Sequence, residues 1–162
     1  MLIDSYFRKI DYLRISVTDR CNLRCVYCMP EYGIVNKRHD ELLTFEEIAL
    51  IVKACARLGI DKVRLTGGEP LVRKGIVSLV ELISSIIGIE DISMTTNGAL
   101  LKELAFPLKK AGLKRLNISL DSLNPDKYRD ITRGGDLEKV KKGIEEAIKA
   151  GFSPIKLNVV LL

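Results

Sequence analysis

A chain of 162 residues with 47% apolar and 29% charged residues has the length and composition of one folded domain with a continuous core, which excludes a disordered or low-complexity protein. No apolar run approaches the roughly 20 residues of a membrane-spanning helix, and the charged start "MLIDSYFRKIDYLR" does not read as a secretory signal, so a cytoplasmic protein with reduced thiols and no membrane partner is expected. The formal net charge of +5 falls mostly on helix-like segments as a solvated face and, without a nucleic-acid-binding module, implies no nucleic-acid partner.

In chain order, "YLRISVT" reads as a first strand, followed by a loop that carries three cysteines. "TFEEIALIVKACARLG" reads as a helix, with Thr44 and Glu47 in a capping-box pattern, Gly59 in the stop position, and Ile48, Ile51, Val52 and Cys55 on one face. "KVRLTG" is a second strand, "KGIVSLVELISSIIG" a second helix and "DISMTTNG" a third strand ending in a turn signal. "LLKELAFPLKKAG" is helical with an irregularity expected at Pro107, "LKRLNISLD" is strand four, "LEKVKKGIEEAIKAG" is helical and "IKLNVVLL" is strand five. Strand-helix alternation of this kind implies a parallel sheet with right-handed crossovers.

Parallel strands covered on both faces read as continuous apolar runs, and these strands do not. Leu13, Ile15 and Val17 alternate with Arg14, Ser16 and Thr18; Val63 and Leu65 with Arg64 and Thr66; Leu116 and Ile118 with Asn117 and Ser119; Ile155 and Leu157 with Lys156 and Asn158. The apolar set must face the helices, so the polar set faces a lumen that holds a polar ligand. An antiparallel sheet with one wet face would alternate in the same way, but its connections would be short hairpins. Arg14, Arg64 and Lys156 lie on three strands of the polar face, where unpaired buried charge would be costly, so an anion such as a phosphate-bearing ligand is expected among them.

Cys21, Cys25 and Cys28 follow strand one with Cys-x-x-x-Cys-x-x-Cys spacing, at the end of the sheet where ligands of parallel α/β folds gather. Structural zinc wants four ligands; of the remaining candidates, Cys55 reads as core and His39, in the hydrophilic "NKRHDE", as solvent-exposed. Three thiolates without a fourth suit a 4Fe-4S cluster with one open iron, although four cysteines are the commoner arrangement. The glycines of "TGG" would let backbone approach a ligand closely, or simply make a strand-end turn.

"SVTDRCNLRCVYC" followed by "LTGGEPL", "TTNG" and "NISLDS" resembles the radical S-adenosylmethionine superfamily, and "RLTGGEPLVR" and "ITRGG" are similar to its branch that cyclises GTP in molybdenum cofactor biosynthesis. That resemblance implies an α/β fold, a partial (βα)6 TIM-like barrel of the radical SAM type truncated after about five strands, with residues 1–162 forming an incomplete core. It implies that Cys21, Cys25 and Cys28 hold a 4Fe-4S cluster, that Tyr27, Gly68 and Ser119 touch S-adenosylmethionine with Glu69 close by, and that Arg14, Arg64, Thr95 and Lys156 contact GTP. By the same resemblance a 5′-deoxyadenosyl radical takes hydrogen from the GTP ribose and the carbon radical closes on guanine C8. No residue is assigned as an acid, base or nucleophile. The resemblance also implies a second 4Fe-4S cluster whose ligands are absent here, and hence a complementing C-terminal half or a homodimer as partner. The apolar "NVVLL" is expected to leave sheet edge and apolar surface exposed. Another radical enzyme, an inactive fragment or a module with a structural metal are the competing expectations.

Overall fold

The computed structural model describes residues 2–161. A short antiparallel ribbon, β1 (Leu2–Ile3) and β2 (Lys9–Ile10), precedes the main sheet. Its turn is closed by Asp4, whose Oδ1 accepts from the backbone N–H of Tyr6 and Arg8, both at 2.9 Å. Two-residue strands carry no periodicity, so the sequence pattern did not disclose them.

The main sheet is built from β3 (Tyr12–Ser16), β4 (Lys62–Thr66), β5 (Asp91–Thr96), β6 (Arg115–Ser119) and β7 (Ile155–Asn158). All pairings are parallel and the spatial order equals the chain order, β3-β4-β5-β6-β7. Each crossover therefore steps one strand further in the same direction. With crossovers of one hand, all helices fall on one side of the sheet, which is the winding of a barrel segment rather than of a doubly wound sheet.

The crossovers carry α1 (Phe45–Arg57), α2 (Ile76–Ser84), α3 (Leu101–Lys110), and then α4 (Pro125–Thr132) and α5 (Leu137–Lys149) together. The α1 start is the expected capping box: Thr44 Oγ1 accepts from Glu47 N at 3.2 Å and Glu47 Oε2 accepts from Thr44 N at 2.7 Å. Pro107 lies inside α3 without breaking it, because it is on the exposed face, where the carbonyl it cannot serve meets water. Helix α4 was not foreseen. Its start is plain in the structure, with Asn124 Oδ1 accepting from Asp126 N and Lys127 N, both at 3.0 Å, and Pro125 in the first turn.

The apolar strand residues Val63, Leu65, Met94, Leu116 and Ile118 are fully buried against Val52, Leu79, Ile83, Leu101, Leu108 and Val140 of the helices, so the alternation sorts the two faces as expected. Ile51 departs from it: the side chain is 44% exposed, and Cys55 is half-buried. Helix α1 is flanked by α2 on one side only among the described residues, so the outer part of its apolar stripe is left open. Leu157 in β7 is exposed, and beyond the strand Val159, Val160 and Leu161 are exposed, as "NVVLL" implied; Leu162 lies outside the described residues. The strand itself stops at Asn158, and Val160 N turns instead to Asp121 Oδ1 at 2.9 Å. Among the described residues no helix is long and apolar enough to cross a membrane.

Truncating Leu65, which is fully buried at the centre of the sheet, to alanine is expected to lower unfolding free energy by about 2–5 kcal/mol. The same truncation of Ile87, 96% exposed, should change it by no more than about 0.5 kcal/mol. Urea midpoints at unchanged slope check both.

Candidate functional site

The segments that follow β3, β4, β5 and β6 meet at the carboxyl rim of the sheet around a cavity of about 210 Å³. Cys21, Cys25, Cys28 and Tyr27 line it from the first loop, Gly68 and Glu69 from the second, Thr95 and Asn97 from β5 and its end, and Ser119 from β6. Eight of the residues singled out in the sequence thus share one cavity.

The first loop is held by its backbone. Val17 N donates to Thr66 O at 2.8 Å, Gly68 N to Thr18 O at 2.7 Å and Glu69 N to Arg20 O at 2.8 Å, so the chain beyond β4 runs paired with the approach to Cys21. A Cβ on Gly68 would lie 2.4 Å from Arg20 O, and one on Gly67 2.5 Å from Thr18 O. One close approach that requires glycine is therefore to this strand of backbone, and Gly68 also lines the cavity.

At its far side the loop docks on α4. Arg24 N donates to Thr132 O at 3.2 Å and Val26 N to Ile131 O at 2.9 Å, which gives these helix-end carbonyls the partners they lack within the helix. Arg133, in the left-handed region at φ 51°, turns its Nη1 back to the carbonyls of Arg24 at 3.1 Å and Met29 at 2.7 Å. Within the loop, Cys28 N and Met29 N both donate to Cys25 O, at 2.9 and 3.0 Å. The residues of "ITRGG" were singled out in the sequence, but this bracing of the cysteine loop was not, because nothing local links positions a hundred residues apart.

Glu69 joins the remaining loops. Its carboxylate is 1% exposed; Oε1 accepts from Leu71 N at 3.0 Å and Thr96 Oγ1 at 2.7 Å, and Oε2 accepts from Asn97 N at 2.7 Å. Burial pushes this carboxyl up from its ordinary value, and the hydrogen bonds oppose that push. Asn97 Nδ2 in turn donates to Asn22 Oδ1 at 2.8 Å, tying the β5 end to the cysteine loop.

The thiols of Cys21 and Cys25 are half-buried, and burial pushes both up; at Cys25 the neighbouring Cys21 sulfur adds to this. A metal would displace those protons. Among the described residues no three His, Cys, Asp or Glu side chains converge on a single ion position. Thiols spread around one cavity suit instead a cluster in which each iron takes one thiolate. Tyr27 donates its hydroxyl to Asp121 Oδ2 at 2.7 Å, and burial followed by that bond pushes its phenol up. Thr95 Oγ1 is buried with no hydrogen-bond partner, an unmet polar group at the cavity wall.

Arg14, Arg64 and Lys156 do not line the cavity but occupy the same face of the sheet. Arg14 stands opposite Arg64, and Lys156 reaches the Thr95 row through Asn117. Arg64 is half-buried, its Nε donating to Ser93 Oγ at 3.2 Å and its guanidinium 5.3 Å from the centroid of the Tyr12 ring. Arg14 and Lys156 are exposed. The expectation that these charges are buried is corrected for Arg14 and Lys156, whereas Arg64 is half-buried and Ser93 and Asn117 of the same face are buried. Arg115 on the same face was passed over, and it is already neutralised by the carboxylate of Asp91. Cys55 and His39 stay apart from the cavity, His39 being exposed as expected.

The sequence profile of the radical SAM superfamily matches residues 15–162. The chain is 65% identical over 159 residues to the GTP 3′,8-cyclase of Alkaliphilus oremlandii, 60% over 162 residues to that of Peptoclostridium acidaminophilum and 56% over 161 residues to that of Petrotoga mobilis. These alignments cover 98–100% of the chain, which spans about half the length of the curated relatives it matches. Among solved structures, Streptococcus suis SuiB bound to S-adenosylmethionine superimposes with a TM-score of 0.78 over 92% of this chain and 33% of that one, at 20% identity. Methylornithine synthase PylB does so with a TM-score of 0.68 over 91% of this chain and 44% of that one, also at 20% identity. The expected fold, a partial barrel of this type, is borne out.

Because Gly68 has an ordinary φ and the obstruction is backbone, Gly68→Ala is expected to cost about 1–3 kcal/mol by overpacking alone. Denaturant unfolding of the metal-free protein measures it.

Proposed function

The chain belongs to the radical SAM superfamily, and from that membership we propose that it carries out the GTP 3′,8-cyclase reaction of its curated relatives. Cys21, Cys25 and Cys28 would hold a 4Fe-4S cluster, one thiolate to each of three irons. When bound, the cluster and S-adenosylmethionine supply one-electron cleavage of a sulfonium, and with it a 5′-deoxyadenosyl radical able to take hydrogen from a ribose.

The single observation that carries the reading is the meeting of three thiols with Gly68, Thr95 and Ser119 in one cavity, on a sheet face that also presents cations without acid partners. Arg14 and Arg64 stand directly opposite on neighbouring strands, an arrangement that is unfavourable unless an anion lies between or above them. A triphosphate supplies that charge; the guanidiniums offer it paired donors and Lys156 a compact one. The unmet hydroxyl of Thr95 supplies a hydrogen bond to the nucleotide. Tyr27, Gly68 and Ser119 face the sulfonium side, with Tyr27 fixed by Asp121. Glu69 is spent on the three loops it joins, so it orders the site rather than moving a proton. Under the same reading, the second cluster that the resemblance implies goes with a complementing C-terminal half or a homodimer as partner. The reduced thiols and the oxygen sensitivity of such a cluster fit the cytoplasm.

Anaerobic reconstitution of the chain is expected to give roughly 4 iron and 4 sulfide per chain, falling to background when Cys21, Cys25 and Cys28 are all replaced by alanine. Zinc in place of iron and sulfide overturns the reading. Arg14→Ala, Arg64→Ala and Lys156→Ala should each weaken GTP binding about ten-fold or more in calorimetry, the scale of one charge-assisted hydrogen bond; GTP affinity indifferent to all three removes the assigned substrate. Turnover is read as 5′-deoxyadenosine formed with dithionite and S-adenosylmethionine, and as loss of GTP.

A further inference from the structure

On the other side of the Thr18–Arg20 segment lies a separate cavity of about 480 Å³, larger than the one that holds the cysteines. Arg20, His39, Arg73 and Lys74 line it together with the apolar side chains of Leu42 and Phe45, and no carboxylate is among its lining residues. Of the acids next to its lining residues in sequence, Asp40 pairs with the Arg38 guanidinium, Glu41 accepts from Arg38 N at 2.8 Å, and Asp19 accepts from Lys37 N at 2.6 Å through Oδ2 while its Oδ1 has no hydrogen-bond partner among the described residues.

The cations are held but not neutralised. Arg73 is fixed by donating to the carbonyls of Val17 and Leu43, with its guanidinium 4.4 Å from the centroid of the Phe45 ring. Those partners are neutral, so its charge stays uncompensated. Among the described residues the Arg20 side chain makes one hydrogen-bond contact, Nη1 to His39 Nε2 at 3.3 Å, and its buried Nε has no partner. Arginine can only donate, so His39 Nε2 is the acceptor in that contact. Four donors of positive or neutral character around an apolar patch, without one acceptor of opposite charge, is the composition of an anion pocket.

We propose that this cavity binds a small organic phosphate, its oxyanion taken by Arg20, Lys74 and the outward edge of Arg73, and its apolar part lying on Leu42 and Phe45. The pocket is distinct from the face that carries Arg14, Arg64 and Lys156, and the proposal is independent of the reaction assigned above. The backbone between the two cavities is shared. Thr18 O and Arg20 O accept from Gly68 N and Glu69 N, so an occupied pocket acts on the segment that leads to Cys21.

His39 is the chain's one histidine, which makes its ring protons a reporter of this pocket free of overlap. Titration of the metal-free protein with inorganic phosphate at constant ionic strength is expected to shift the His39 ring resonances saturably, with a dissociation constant on the order of 1 mM or tighter. Arg20→Gln and the exposed Lys74→Gln should each weaken that binding about ten-fold, whereas Arg64→Ala, on the other face, should leave it unchanged. A shift that rises linearly without saturation, or one equal in wild type and both glutamine variants, means an adventitious ion only and overturns the proposal. So does a phosphate effect lost in Arg64→Ala and kept in Lys74→Gln, which would assign the ion to the sheet face.

Discussion

Four main-chain and side-chain bonds around one buried acid hold the rim of this sheet together. Glu69 reaches back through its own N–H to Arg20 O and forward through its carboxylate to Leu71, Thr96 and Asn97, so the segments after β3, β4 and β5 are fixed relative to one another by a single residue. The neighbouring glycines exist to let that happen, since any Cβ at 67 or 68 would strike the carbonyls being bonded. A buried carboxylate is costly when any of its donors is lost and inexpensive when all are present, which is why such a hub is either complete or absent. Everything that lines the cysteine cavity inherits its position from this junction.

The electrostatics of the two sides follow from the same layout. Helices cover the apolar face of the sheet, so charge accumulates on the other. There the acids that are present, such as Asp91, are used up on cations near the amino ends of the strands, while Arg14, Arg64 and Lys156 nearer the middle are not. Hydrophobic burial sets which face is which, and the leftover charge sets what kind of ligand that face can tolerate.

Much of this was legible in the sequence, for identifiable reasons. Side-chain alternation of period two reports the two faces of a strand directly, so the polar lumen and the apolar helix face could be read from Leu13, Val63, Leu116 and their neighbours. The cysteine triplet and the Thr44–Glu47 box are local patterns with local geometry. What escaped was non-local or too short to be periodic: the β1–β2 ribbon, helix α4 with its mostly exposed surface, and the grip of Arg133 on the carbonyls of Arg24 and Met29. The alternation also said nothing about closure, so Arg14 and Lys156, which are exposed, were taken for buried. The backbone packed against the glycine pair was not legible for a related reason: a sequence shows that Cβ is missing but not what comes close.

At Arg24, Cys25 and Val26 the cysteine loop is secured through its main-chain atoms. Arg24 and Val26 dock by their N–H groups, Cys25 is enclosed by two N–H donors, and the side chains of Arg24 and Val26 point to solvent. Side-chain identity and loop conformation are thereby uncoupled at those positions. Positions 24 and 26 can drift over evolutionary time, altering the charge and shape of the rim presented to whatever approaches it, while the distances among the three thiols stay as they are.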